Sequence, residues 1–241
     1  MPSTADRPIT VIDLLDRGPV PYERGHELQR RLLAERAGGE RDDALVLLEH
    51  EAVVTVGRGA RRDGTGPDGL PAVLDGGRFP VVEVERGGEA TWHGPGQLVG
   101  YPIIALGEGE RDLHRHLRRI EDALIAALGD LGVSGAGRRA GATGVWIDGA
   151  RKVASIGIAV QRWVTWHGFA LNVRPDLSAF AAIRPCGFGA EVMTSVAAER
   201  GDDGPSVREA ADAVVRRLAE AFGRVVSSSG VGRGAGEEVD V

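Results

Sequence analysis

Cys186 is the only cysteine in the 241 residues, and it stands between Pro185 and Gly187. A lone cysteine is most often a small buried hydrophobe. Here the proline fixes the turn and the glycine strips away neighbouring bulk, a setting that exposes the sulfur and suits a nucleophile. Lys152 is just as solitary, because 28 of the 29 lysine and arginine residues are arginine. An Arg-, Ala- and Gly-rich composition accounts for that rarity without any function, and a lysine at a strand end is ordinarily solvated. The position of the survivor still carries information. Arginine supplies charge equally well but does not deprotonate in a protein, so a retained lysine suits a site where an amine must titrate. About 3% of an unperturbed cysteine is thiolate at pH 7. A neighbouring ammonium raises that share, and lowering the thiol pKa to about 7 takes roughly 2 kcal/mol. A histidine is the alternative activator, and His93 and His167 are the candidates.

The densest run of unusual residues is 86–102, Arg-Gly-Gly-Glu-Ala-Thr-Trp-His-Gly-Pro-Gly-Gln-Leu-Val-Gly-Tyr-Pro. Its glycines let a ligand approach the main chain closely. A glycine-rich hairpin needs no ligand, but Arg86, His93 and Gln97 beside the turns point to a binding wall. The run lacks the Gly-Lys-Ser/Thr ending of a phosphate loop, so a Walker-type nucleotide site is not supported. Two further stretches join it. Residues 151–158 read Arg-Lys-Val-Ala-Ser-Ile-Gly-Ile, and 166–173 read Trp-His-Gly-Phe-Ala-Leu-Asn-Val, with Gly168 suiting a strand near a ligand. No His-x-x-x-His or His-Glu-x-x-His pattern occurs, and His114 and His116 fall on an arginine-rich helix, so no metal site is expected.

These stretches must be positioned by strands and helices. Residues 9–15, 44–48, 53–56, 79–84, 98–106, 144–148, 152–161 and 166–173 have the apolar or β-branched character of strands. Asp148-Gly149 between two of them signals a hairpin. Leu28, Leu32 and Leu33 predict a helix over 22–37, and the stripe Leu113, Leu117, Ile120, Leu124, Leu128 and Leu131 predicts one over 113–131 with Asp112 as its cap. Ser206 and Glu209 form a capping box for a helix ending at Phe222. Residues 57–77 are a long Gly-, Arg- and Asp-rich loop. Arg111, Arg115, Arg118 and Arg119 lie on the second helix as a solvated face or as a docking patch for an acidic partner. One α/β (α+β) domain over 1–223 and a disordered tail over 224–241 are expected.

Composition narrows the classes further. Hydrophobic residues at 42% are enough for a core. A net charge of −6 with 5% aromatics does not fit a nucleic-acid binder. No apolar run is long enough for a membrane span, the first residues lack a signal core, and a single cysteine allows no internal disulfide. A soluble cytoplasmic protein without membrane insertion is expected.

Four of these segments together resemble one family, the octanoyltransferases of lipoate biosynthesis, which belong to the biotin/lipoate ligase-like superfamily. The matching residues are Arg86-Gly-Gly-x-x-Thr-x-His-Gly-Pro-Gly-Gln97, Lys152-Val-Ala-Ser-Ile-Gly157, His167-Gly-x-Ala-Leu-Asn172 and Pro185-Cys-Gly187. Leu47-Leu-Glu-His50 followed by Thr55-x-Gly-Arg58 is similar to the family's early strand pair, with Glu51 where a proline is often found. The resemblance spans about residues 44–200 and leaves the C-terminal tail without a counterpart. It implies the fold of the biotin and lipoate ligase catalytic domains, with mixed sheets flanked by helices. It also implies transfer of an octanoyl group from octanoyl-acyl carrier protein to a lysine of a lipoyl domain, in 2-oxoacid dehydrogenase subunits or glycine-cleavage H protein, with no cofactor. By residue match, Cys186 is the thioester nucleophile and Lys152 its acid/base partner. Arg86, Gly87, Gly88, Glu89, Ala90, Thr91, Trp92 and His93 would line the acyl site, with Ser155, Ile156 and Gly157, and with Gly168, Phe169 and Ala170. The competing readings are an ATP-dependent lipoate or biotin ligase, which forms an acyl-adenylate and needs no cysteine, and a non-catalytic module that binds lipoyl domains or acyl carriers.

Overall fold

The computed structural model describes residues 7–60, 65, 71–75, 77–184, 188–201 and 204–227. The chain opens with β1 (Arg7–Asp13), α1 (Tyr22–Gly38), β2 (Asp43–Leu48) and β3 (Val53–Val56). After the long loop come β4 (Val81–Glu83), β5 (Ala90–His93), β6 (Gln97–Ile103) and α2 (Leu113–Asp130). Next are β7 (Ala136–Arg139), β8 (Ala142–Ile147), β9 (Arg151–Gln161) and β10 (Val164–Asn172), and the last elements among the described residues are α3 (Val196–Arg200), α4 (Val207–Phe222) and β11 (Arg224–Val226).

Eight strands form one mixed sheet in the order β11-β1-β2-β6-β10-β9-β8-β7, and β4-β3-β5 form a small second sheet. Alternation in β2 shows why the large sheet is covered on both faces. Ala44, Val46 and Leu48 pack with Leu28, Leu32 and Leu33 of α1. Leu45 and Leu47 belong to the opposite core, where α2 and α4 contribute Ile120, Leu124, Val214 and Leu218. The helix starts follow their caps: Asp112 accepts from the Arg115 N–H, and Ser206 and Glu209 cap each other reciprocally. The β9–β10 hairpin turns at Arg162 and Trp163, whose φ values of 51° and 61° suit a two-residue turn matched to strand twist. No helix among the described residues is long and apolar enough to cross a membrane.

β7 and α3 are elements that the sequence reading did not predict, and two other departures bear on the site and the domain boundary. β5 lies inside the run read as a glycine-rich turn; it is four residues between glycines, too short for a period to show. The second concerns the tail expected from residue 224. Its first three residues are β11, paired parallel with β1. Arg224, which reads as a solvent-facing charge, is buried and donates to Asp43 at 2.8 Å, and Asp43 also accepts from Arg36 at 2.7 Å. The ordered domain therefore extends past 223, while 228–241 lie outside the described residues.

Candidate active site

Lys152 is the second residue of β9, and only 1% of its surface is exposed. Its neighbours are shaped to admit it. Gly144 on β8 has φ +130°, and a Cβ there would lie 2.4 Å from the Ala154 carbonyl oxygen and 2.8 Å from Lys152 Cε. Only glycine leaves room for the lysine shaft. The β8–β9 register shifts between Val145 and Trp146, the local irregularity that accompanies this arrangement. Lys152 Nζ stands 5.4 Å from the centroid of the Trp146 ring, and the Thr194 N–H donates to the Lys152 carbonyl at 3.0 Å. Cys186, with Pro185 and Gly187, lies outside the described residues. Phe188, just beyond that segment, meets the same Trp146 ring at 5.3 Å, and Ile183 on the other side is buried.

Lys152 lines a cavity of about 550 Å³, counting its open mouth. From the glycine-rich run, Arg86, Gly88, Ala90, Thr91 and His93 form one wall. Ser155, Ile156 and Gly157 of β9, with Gly168, Phe169 and Ala170 of β10, form the other. Gly87, Glu89 and Trp92 are not on the lining. The Gly87 N–H donates to the Ile158 carbonyl at 3.0 Å and so docks the loop on β9. That approach requires Gly157, where a Cβ would sit 2.7 Å from the Gly87 oxygen. Trp92 points the other way, into a separate cluster with Phe79 and Phe180. Sequence reasoning did not assign Tyr22, Val99 and Tyr101 to the wall, and it weighed His167 only as a thiol activator. One signal was available: Tyr22 and Tyr101 are the only tyrosines in the chain.

The polar groups of the wall form a directional chain. Arg86 donates to the Thr55 carbonyl at 2.8 Å and to Thr55 Oγ1 at 2.9 Å. The Thr55 hydroxyl donates to His93 Nε2 at 3.3 Å, and His93 Nδ1–H donates to Gln97 Oε1 at 2.8 Å. Gln97 passes its amide hydrogens to Asn172 Oδ1 at 3.0 Å and to the Trp92 carbonyl at 3.2 Å, and Asn172 donates to the Thr194 carbonyl at 2.9 Å. The chain thus ends on the residue whose N–H holds the Lys152 backbone. Beside it, His50 Nδ1–H donates to the Val20 carbonyl at 2.9 Å and accepts from the Tyr101 hydroxyl at 2.6 Å.

Burial decides the charge state of this end. It lowers the His50 pKa to about 4, against a small opposing effect of the Val20 hydrogen bond. It pushes His93 well below the ordinary imidazole value, with His50 and Arg86 acting in the same direction. His167 is lowered to about 3, by burial first and then by His26 and Arg86. Burial also raises both phenols, Tyr22 and Tyr101. At neutral pH the wall therefore presents neutral imidazoles and phenols, and His93 is poorly suited to hold a proton as an imidazolium.

The fold and the site define a class. Residues 21–219 match the lipoyl protein ligase A/B catalytic domain. The chain belongs to that family. Among its relatives, the octanoyltransferase of Gloeobacter violaceus is 48% identical over 211 residues, covering 87% of this chain and 90% of that one. The octanoyltransferase of Mycobacterium tuberculosis strain H37Rv is 48% identical over 195 residues, covering 80% of each. Among solved structures, lipoate-protein ligase A bound with ATP superposes with a TM-score of 0.63 at 15% identity, covering 92% of this chain and 87% of that one. A bipartite lipoate protein ligase from Thermoplasma acidophilum gives 0.61 at 17% identity, covering 92% and 85%. At those identities the likeness is one of fold.

Proposed function

We propose that this chain is an octanoyltransferase of protein lipoylation. It moves an octanoyl group from octanoyl-acyl carrier protein to a lysine of lipoyl-domain proteins, through a thioester on Cys186. The observation that carries the reading is the buried Lys152 on a slot walled by Arg86, Gly88, Ala90, Thr91 and His93 and by segments 155–157 and 168–170. The octanoyltransferase relatives, matched over 90% and 80% of their length, support it.

The chemistry follows from what each half-reaction lacks. In the first, the Cys186 thiolate attacks the donor thioester and the carrier thiolate leaves. One thioester replaces another, so no ATP is needed. The Lys152 ammonium favours the attacking thiolate, and backbone N–H groups stabilise the tetrahedral oxyanion. In the second, the acceptor lysine must lose a proton as it attacks, and about 0.04% of an ordinary lysine is neutral at pH 7. Acylation of Cys186 removes the anion that favoured a charged Lys152, which gives its proton to the departing carrier thiolate; the neutral amine then takes the acceptor's proton as the new amide forms and the Cys186 thiolate leaves the acyl carbon. The two titrations belong to one coupled pair. Arginine at 152 serves the first step and fails the second. An eight-carbon chain gains about 0.8 kcal/mol per buried methylene, and Val99, Ile156, Phe169 and Ala170 supply the apolar surface.

Intact-mass analysis after incubation with octanoyl-acyl carrier protein tests the reading. An octanoyl adduct mapped to Cys186, which disappears when a lipoyl domain is added, is expected. Absence of that adduct together with ATP-dependent activation of free octanoate would overturn it in favour of an adenylating ligase.

A further inference from the structure

Behind the slot, three side chains from distant parts of the sequence converge: His26 of α1, Glu85 in the turn after β4, and His167 of β10. Each offers one ligand atom, and these atoms all lie within 4.8 Å of one another. His26 Nε2 is 3.0 Å from Glu85 Oε2, and His167 Nε2 is 3.7 Å from the same oxygen. Zinc bonds to nitrogen and carboxylate oxygen are about 2.0–2.2 Å long, which spaces tetrahedral donors roughly 3.3 Å apart. The two measured separations bracket that spacing. The His26 ring, 21% exposed, is the more accessible of the two imidazoles, and a small turn of it would close the remaining gap.

Independent features single out His167. Its Nε2 is buried, in a residue only 1% exposed, with no partner inside hydrogen-bond distance and the Glu85 oxygen at 3.7 Å. A buried donor or acceptor left unmatched is costly and calls for an explanation. The backbone there is also forced. Along β10, Trp166 and Ala170 pack on the α1 face while Phe169 and Leu171 pack on the opposite face. Alternation assigns His167 to the side of Phe169. Its φ of +56° instead accompanies a ring that stacks on Trp166 at 4.3 Å between centroids and meets His26 at 5.9 Å. Gln29 of α1 fixes the strained residue by accepting from its N–H at 2.9 Å. Strain of this kind persists where the surroundings enforce it, and it concentrates at ligand sites.

We propose that His26, Glu85 and His167 bind one divalent cation of the zinc class, tying α1 to β10 at the wall of the slot. Two imidazoles and one carboxylate suit Zn²⁺, Co²⁺ or Ni²⁺, whereas Mg²⁺ and Ca²⁺ prefer all-oxygen sites. Glu85, 37% exposed, leaves an outward side for water ligands. Arg86 opposes a cation here through space, and the Glu85 carboxylate offsets it. His26 and His167 lie in separate segments, so no spacing motif announces the set, and sequence reading expected no metal.

The test uses the Cys186→Ala protein, which removes the competing thiol. Isothermal titration with Zn²⁺ and visible absorption with Co²⁺ should show one equivalent bound through nitrogen and oxygen, with a rise in Tm. His26→Ala and Glu85→Gln, both at partly exposed positions, should each weaken binding at least tenfold and abolish the Tm rise. The metal-free Tm of each variant reports that it folds. No bound equivalent in the Cys186→Ala protein, or equal binding after His26→Ala, would overturn the site. The binding does not depend on acyl transfer, so either proposal can fail alone.

Discussion

The two ends of the slot treat ionisable groups in opposite ways. One end holds Tyr22, Tyr101, His93 and His167, with His50 behind Tyr101, all neutral at pH 7 because burial penalises their charged forms, beside the Arg86 guanidinium, which donates to Thr55. The other end holds a primary amine, Lys152, beside Trp146 and the approach to the Cys186 segment. An ordinary imidazole is already mostly neutral at pH 7, whereas an amine with pKa about 10.4 must be shifted by more than three units to match it. A chain can therefore line a cavity with histidine and tyrosine and add hydrogen bonds without adding charge. A lysine in the same cavity brings a charge that the chemistry must use or answer.

The largest effects should come from the two residues proposed to carry the chemistry, Cys186 and Lys152. Cys186→Ala should cut transfer by about 10³-fold or more, since removal of a nucleophile usually costs at least that. Lys152→Arg should retain partial acylation of Cys186 while slowing transfer to the lipoyl domain about 10²–10⁴-fold, the usual contribution of a proton acceptor. Single-turnover mass measurements separate the two steps, and normal transfer by Lys152→Arg would remove the proton-shuttle role.

Gly144→Ala should come next, at about 10–100-fold in transfer rate, because its methyl would collide with the Ala154 oxygen and the Lys152 shaft and displace the amine. An unchanged rate, measured with the same assay, would mean that the lysine shaft has slack.

The neutral end should show itself in stability against pH. Unfolded imidazoles protonate near 6.5, but in the fold His50 stays neutral to about 4 and His167 to about 3. Between those values the unfolded chain binds more protons. Stability is then complete above pH 6.5 and falls with acidification, by up to about 1.4 kcal/mol per pH unit for each such group, until the folded pKa is reached. Urea unfolding at a series of pH values should show that slope, and His50→Gln should flatten it. The smallest effect should be that of Tyr101→Phe. It strips His50 Nε2 of its 2.6 Å donor and should cost about 1–3 kcal/mol in urea unfolding at pH 7.

The sequence was most readable where chemistry and local pattern coincide. Lys152 could be singled out because it is the only lysine, and the caps at Asp112 and Ser206 because capping is local. Gly144 could not, because its importance lies in a side chain on the neighbouring strand. The aromatic end was hidden for the same reason: Tyr22, His50 and Tyr101 meet only after α1, β2 and β6 pack. The arginine stripe was ambiguous in sequence and resolves largely into internal contacts. Arg118 pairs with Glu121, Arg119 with Glu110, and Arg111 lies over Trp163.

The Asp43 carboxylate joins parts of the chain made at opposite times. It receives Arg36 from the first helix and Arg224 from the last strand. During synthesis β1 emerges well before β11, with its outer edge bare, an invitation to pair with another chain, and β11 closes it. A protein shortened after Phe222, or tagged by replacing residues 224–226, would keep every group in the slot. It would be expected to precipitate through that open edge.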